Sequence, residues 1–447
     1  RIFSTTDSES FTIKGSYNIN GSLINKIDFN YRDTDYSLTE DHAEEEHDEE
    51  EEHDEEEEHE EHSPTVFMNE AVEYGAVFDI SNDSSTQKVV VNFVDEDNSI
   101  IGEEAFMNPA NSEEFTIGYY LSKELGMFDF DFGFRLDQIE RSGSVSEEEH
   151  EDEHGDDHGD EHGEVDYYNI DDTTSSFAVT LGRSLSDNLD VSLGYASFER
   201  LPSSIELFMN GPHMATGRFE VGDPNLNSET SNNFDVTFNF DNGDFYAFAS
   251  FYITDVDNYI ALIDEEEDHM DEDEHHEDED EHHEDEDEHD DHGNLIHANY
   301  MQKDAEFDGY EIEFGRSFDL GSGELALSFG RDVVNAEFAD GHNVPRINPA
   351  RNIYSLVYTQ DDLLFKLMLK DVEKQNDFGE GETATDSYQM LNTRLTKTFN
   401  AMGNGELKVS LFANNLLDEV ARNHSSFVKD EVPLPGRNYG LKFNLTF

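Results

Sequence analysis

Apolar and polar residues alternate one by one along most of this chain, and that pattern admits few folds. Tyr439, Leu441, Phe443, Leu445 and Phe447 are apolar, and Gly440, Lys442, Asn444 and Thr446 between them are small or polar. Phe128, Phe130, Phe132, Phe134 and Leu136 alternate with Asp129, Asp131, Gly133, Arg135 and Asp137. Leu407, Val409, Leu411 and Ala413 alternate with Lys408, Ser410 and Asn414. Period two gives a strand with one apolar and one polar face. A soluble sandwich buries such faces against each other. A membrane barrel turns them to lipid and keeps the polar face in its lumen. The connections decide between the two. About seventeen alternating segments follow one another, 23–36, 66–80, 127–141 and 174–184 among them. Short links such as 18–22, 124–126, 241–243, 319–323 and 360–361 alternate with long ones. The long ones include 37–65, 142–173, 201–227, 264–297, 336–348, 374–385 and 419–435. Short turns on one rim and long loops on the other predict an all-β, antiparallel transmembrane barrel.

Composition separates a second kind of sequence from the first. The chain has 447 residues, 108 acidic and 26 basic, for a net charge of −82; it has no Cys and no Trp, but 34 Phe and 18 Tyr. Three tracts, 40–62, 147–166 and 264–292, carry 50 of the acids and 16 of the 20 His, with no Lys or Arg. The remainder reads as a folded chain rich in aromatics, which a disordered acidic protein lacks. Such charge excludes a phosphate-backbone binder. Zero Cys removes disulfides, thiolate zinc sites and cysteine nucleophiles. No Gly-x-Ser-x-Gly or phosphate-cradling Gly loop is present, and no catalytic constellation is expected. A last strand ending at Phe447 should finish on the periplasmic side. Counting back, all three acidic tracts fall on the extracellular rim. The odd strand count and an inward-running first segment predict that at least one strand precedes Arg1. The chain then reads as the C-terminal portion of a larger barrel, whose first and last strands here should not pair.

Three stretches carry a family resemblance. Asn414-Asn415-Leu416-Leu417-Asp418, then Pro435-Gly436-Arg437 and the terminal Phe447, resemble the C-terminal signature of TonB-dependent outer-membrane receptors. Glu199-Arg200-Leu201-Pro202-Ser203-Ser204-Ile205-Glu206-Leu207-Phe208 is similar to their mid-barrel motif. Asn210-Gly211-Pro212-His213-Met214-Ala215-Thr216, with Phe219-Glu220-Val221-Gly222, resembles the zinc-uptake (ZnuD-like) branch. Val344 to Arg351 and Phe307-Asp308-Gly309-Tyr310-Glu311 fit the same branch. The resemblance implies a barrel of about 22 strands in the outer membrane of a Gram-negative bacterium, covering 1–447 here. It also implies a plug domain and an energy-coupling box, neither of which this sequence contains, and about five further strands. Zn²⁺ is the implied cargo. The implied partners are the TonB energy-coupling protein acting through the plug, outer-membrane lipid, and the barrel-assembly machinery reading the Phe447 strand.

The candidate metal ligands fall into two groups. The tracts supply His42, His47, His53, His59 and His62; His150, His154, His158 and His162; and His269, His275, His276, His282, His283, His289 and His292. Zinc takes imidazole nitrogen and carboxylate oxygen, so weak, multiple, exchangeable sites are expected. The competing reading is a solvated charge run. His213 is different. It lies outside the tracts, where Gly211 permits a tight turn and Pro212 fixes φ, so the imidazole could be aimed. A loop His making a local hydrogen bond is the alternative, and the resemblance favours the zinc ligand. Glu73 alternates with Tyr74 and so belongs to the lumen face, as a ligand or as a carboxylate that hydrates the wall. His297 and His342 lie beside loop ends and are weaker candidates. Glu206 and Glu220, flanking His213, are expected to make structural hydrogen bonds. His424 reads as an ordinary loop histidine. The cargo alternatives are copper, nickel, a metallophore or haem. A passive porin or adhesin with cation-buffering loops is the rival outside energised transport.

Overall fold

The computed structural model describes residues 2–19, 21, 23–42, 64–102, 105–146, 165–265, 295–400 and 405–446. They form one 19-stranded sheet with a single short helix. The strands are β1 (Ile2–Asn18), β2 (Lys26–His42), β3 (Thr65–Asp79), β4 (Thr86–Ile101), β5 (Ala110–Leu125), β6 (Phe128–Ser146), β7 (Val165–Ser186) and β8 (Leu189–Arg200). After helix α1 (Ser204–Phe208) come β9 (Asn210–His213), β10 (Arg218–Val221), β11 (Glu229–Asp241), β12 (Phe245–Asp264), β13 (Ile296–Asp319) and β14 (Glu324–Phe338). The last are β15 (Arg351–Gln360), β16 (Leu363–Val372), β17 (Tyr388–Asn400), β18 (Glu406–Asn414) and β19 (Asn438–Thr446).

Seventeen of these make the wall, each antiparallel to the next, with β8 paired directly to β11. β9 and β10 form a small hairpin of their own. Among the described residues no ladder joins β1 to β19, so the sheet is open there. The alternation sets the outer surface. Tyr74, Phe115, Phe134, Phe177, Phe234, Ile253 and Leu411 stand exposed on it. Their neighbours in register, such as Phe134 opposite Phe177, repeat the apolar row from strand to strand. That row is the lipid belt of a barrel.

The short turns all lie on one rim and the long loops on the other. Glu40 pairs with Thr65, Ser146 with Val165, and Asp264 with Ala298, so the three acidic tracts leave from the same rim. Several strand boundaries differ from expectation. The strands run past the apolar signal: β6 reaches Ser146 and β7 starts at Val165, against 141 and 174 from periodicity. Above the lipid nothing enforces an apolar face, yet the backbone ladder continues through polar residues such as Asp171 and Glu140. The tracts are correspondingly narrower. Glu40 to His42 end β2, Val165 and Asp166 begin β7, and Asp264 ends β12. Most tract residues, and Phe447, lie outside the described residues.

The core sits inside the mouth. The segment between β8 and β11 folds inward instead of standing as a loop. α1 is started by a capping box, with the Ser203 and Glu206 side chains reciprocally bonded to each other's backbone. Leu207, Phe208 and Met209 are buried with Phe106, Met107 and Ile260. Gly143 on β6 lets the Phe208 ring lie against the wall, where a Cβ would meet the ring at 2.4 Å. β10 then pairs in parallel with the rim end of β13, Arg218 to Val221 against Ile296 to Asn299. The segment therefore bridges the β5–β6 side of the mouth to β13.

Candidate metal-binding site at the barrel mouth

His213 ends β9 and is followed by a tight turn, in which Thr216 N donates to His213 O and Gly217 N to Met214 O. Only Gly217 of this turn has a positive φ, +66°. The expected Gly-Pro-His turn is thus a strand, with the reversal after it. Gly211 serves close approach, not a turn: a Cβ there would lie 2.7 Å from the Phe106 backbone. His213 and Glu220 share one face of the hairpin, diagonally related across its register. His213 Nδ1 lies 3.0 Å from Glu220 Oε1, and Thr216 Oγ1 lies 2.6 Å from the same oxygen. Glu220 is 3% exposed and His213 29%. Burial pulls the Glu220 carboxyl up, but the hydrogen bonds from His213 and Thr216 outweigh it and hold it below its ordinary value. Phe106 packs on the imidazole with centroids 4.5 Å apart. His213 Nε2 has no hydrogen-bond partner among the described residues.

The hairpin is locked in place by a buried ion pair. Arg218 donates Nε to Asp264 Oδ1 at 2.7 Å and Nη2 to Oδ2 at 2.6 Å, with both side chains under a tenth exposed. A bidentate pair of this kind fixes orientation as well as position. Arg218 and Arg346 both lie over the Phe427 ring, at 4.5 and 3.9 Å. A cavity of about 460 Å³ opens beside the hairpin. His213, Thr216, Glu220, Phe106, Tyr259, Tyr300, Arg346 and Phe427 are on its wall.

The other candidates separate. Glu73 is on the wall, 3.0 Å from Arg32 on the neighbouring strand, and does not line the cavity. His42 ends β2, and the remaining tract histidines, His47 through His292, lie outside the described residues. His297 is the second residue of β13 and stacks on Phe219, at 5.2 Å. His342 is exposed beside Asp340, 3.0 Å away. Glu206 accepts from both Arg200 Nη atoms and from Ser203 N, so it braces α1. His424 is not an ordinary loop histidine. It is fully buried where three loops meet, with Nδ1 2.8 Å from Thr385 Oγ1 and Nε2 3.7 Å from Glu382. Glu382 also accepts from the backbone of Arg346 and Gly379. Among the described residues no three His, Asp or Glu side chains are grouped to hold a metal ion.

An inward-folded loop, a lipid belt and a two-rim meander describe a receptor barrel, and sequence comparison reaches the same point. Residues 2–416 match the TonB dependent receptor-like, β-barrel family. The chain belongs to that family. Family barrels are outer-membrane proteins of Gram-negative bacteria, and they transport rather than catalyse. Solved structures of similar fold include the copper transporter OprC, with a TM-score of 0.73 and 14% identity over 99% of this chain and 66% of that one. The FrpB iron transporter from Neisseria meningitidis (F3-3 variant) gives 0.62 and 12%, over 98% and 62%. The ferric-catecholate import receptor Fiu from E. coli K12 gives 0.61 and 12%, over 98% and 64%. At these identities the likeness is one of fold, and the chain spans about two thirds of each structure.

Proposed function

We propose that the chain forms the wall and mouth of an energised outer-membrane receptor whose cargo is zinc. The acidic tracts gather Zn²⁺ at the extracellular rim, and His213 binds it deeper in the mouth. One observation carries the reading. The imidazole is held through Nδ1 by a buried carboxylate, while Nε2 is left without a protein partner at the wall of a cavity. Metal-ligating histidines commonly have such a carboxylate behind them. Zinc takes about four ligands, so His213 is one donor, completed by water, by tract side chains or by groups on the cargo. TonB, acting through a plug, drives passage across the membrane. No covalent bond is made or broken.

The cavity lining favours a second reading. It is mostly apolar and aromatic, with Arg346 on its wall, and that chemistry suits an organic ligand more than a bare ion. A metallophore, haem, or a chelate of copper or nickel would use the same architecture. Uptake measured in metal-starved cells carrying the full-length receptor separates the readings, with and without TonB, against zinc, copper, nickel and haem. TonB-dependent zinc uptake supports the proposal. Uptake indifferent to TonB points to a passive pore, and preference for another cargo reassigns the site.

A further inference from the structure

We infer that Glu220 is a positioning residue that selects the tautomer of His213 with a bare Nε2. This rests on the reading of His213 as a metal donor and goes beyond it, by naming the residue that makes the donor competent. The argument is one of donors and acceptors. An ionised carboxylate can only accept, so the 3.0 Å contact requires the proton on Nδ1. A neutral imidazole carries one ring proton, so Nε2 then holds a lone pair. Two further contacts narrow the geometry. Thr216 Oγ1 lies 2.6 Å from the same Glu220 oxygen, which steadies the carboxylate. Phe106 packs on the ring, which restricts its rotation. An imidazole free in water exchanges between tautomers and rotamers, and a metal must select one of them. Here the fold has already made the selection, through a carboxylate buried in the hairpin.

The test reads the tautomer directly, without any metal. The full chain is labelled with ¹⁵N-histidine, and its imidazole nitrogens are recorded by NMR in mildly alkaline solution. Comparison with His213→Gln identifies the His213 signals. The expected result is a protonated Nδ1 and a bare Nε2, giving way to a mixture of tautomers in Glu220→Gln. Zinc affinity at His213, read by calorimetry, should fall roughly 10–100-fold in that variant, the usual effect of losing such a partner. Thr216→Val keeps the carboxylate, so its His213 tautomer should match the native one. This second variant stands even if Glu220→Gln loosens the hairpin. Two results would overturn the inference: a protonated Nε2 in the native chain, or an unchanged tautomer in both Glu220→Gln and Glu220→Ala. A tautomer that responds as expected, in a chain that binds no zinc at His213, would leave the positioning role intact and remove the metal reading instead.

Discussion

The inner segment 201–227, α1 with the hairpin it carries, and the three acidic tracts bring the same kinds of side chain to the same rim by opposite means. The tracts do it by number, with 50 acids and 16 His in low-complexity sequence. The hairpin does it with one His and one Glu, each fixed by neighbours. Number concentrates cations but selects no geometry. Geometry comes from a core, and the hairpin has one in Leu207, Phe208 and Met209. The contrast teaches that an aimed site here depends on burial beneath it more than on how many ligands surround it.

The largest expected effect comes from breaking what holds the hairpin. Arg218→Ala leaves Asp264 buried without its partner, and an orphaned buried charge costs roughly 3–5 kcal/mol. Phe208→Ala removes a fully buried ring, with a loss of about 3–5 kcal/mol. Hydrogen exchange should show Arg218 to Val221 losing protection in both variants, while the β15–β16 ladder stays protected. Protection unchanged in both would mean that the hairpin does not depend on this core.

Removing the tracts should have a smaller effect on the fold and a different one on metal. The cut must respect the observed strand ends. Deleting 43–63, 147–164 and 266–294 spares Glu40, Val165 and the Asp264 that binds Arg218. Such a receptor should still insert, lose most of its weak zinc stoichiometry by calorimetry, and keep the hairpin site. Undiminished stoichiometry would return the tracts to plain solvated charge.

Point substitution of His213 sharpens the comparison further. His213→Ala should abolish one tight site and leave the weak ones, lowering uptake only when zinc is scarce. The fitting control is His342→Ala, an exposed loop histidine. His424→Ala is unsuited, because it empties a buried junction and should loosen the loops around Glu382. Equal uptake by His213→Ala and His342→Ala would remove His213 from the site.

The two regions also differ in how far sequence reveals them. The wall was legible because lipid on one side and water on the other impose period two on each strand, as in Phe128 to Leu136. The rim was legible from loop lengths. The inner hairpin was not: Gly211 and Pro212 interrupt alternation, and its partner strand β13 lies 75 or more residues away. One signal was present and passed over, the Ser203-x-x-Glu206 capping box that starts α1. His424 carried no local signal at all. Asn423, Ser425 and Ser426 beside it read as exposed loop, and its burial follows from three loops converging. His213 was singled out through resemblance, whereas its contact with Glu220 needed the distance across the hairpin.

The smallest expected effect is in acid, and its sign separates the hairpin from the tracts. Glu220 and Glu382 both titrate below their ordinary value near 4.5. For each, burial raises the value, and polar contacts more than offset it: hydrogen bonds from His213 and Thr216 for Glu220; for Glu382, the His424 imidazole 3.7 Å away and hydrogen bonds from the Arg346 and Gly379 backbone. A carboxyl whose folded value is depressed adds stability that is complete above the unfolded value. That stability is lost as pH falls through the folded one. The hairpin and the three-loop junction should therefore hold unchanged from neutrality to about pH 5 and loosen only below about 4.5. Zinc binding at the hairpin should fade as the solution is acidified, because metal and proton compete for the same imidazole nitrogen. Tract carboxylates would keep weak affinity to roughly pH 4 to 5. Hydrogen exchange and calorimetry along one pH series thus separate loss of the ligand from loss of the fold. If exchange at Arg218 to Val221 rises together with the loss of zinc while the pH is still above about 5, then the hairpin is held by something other than the ionised Glu220.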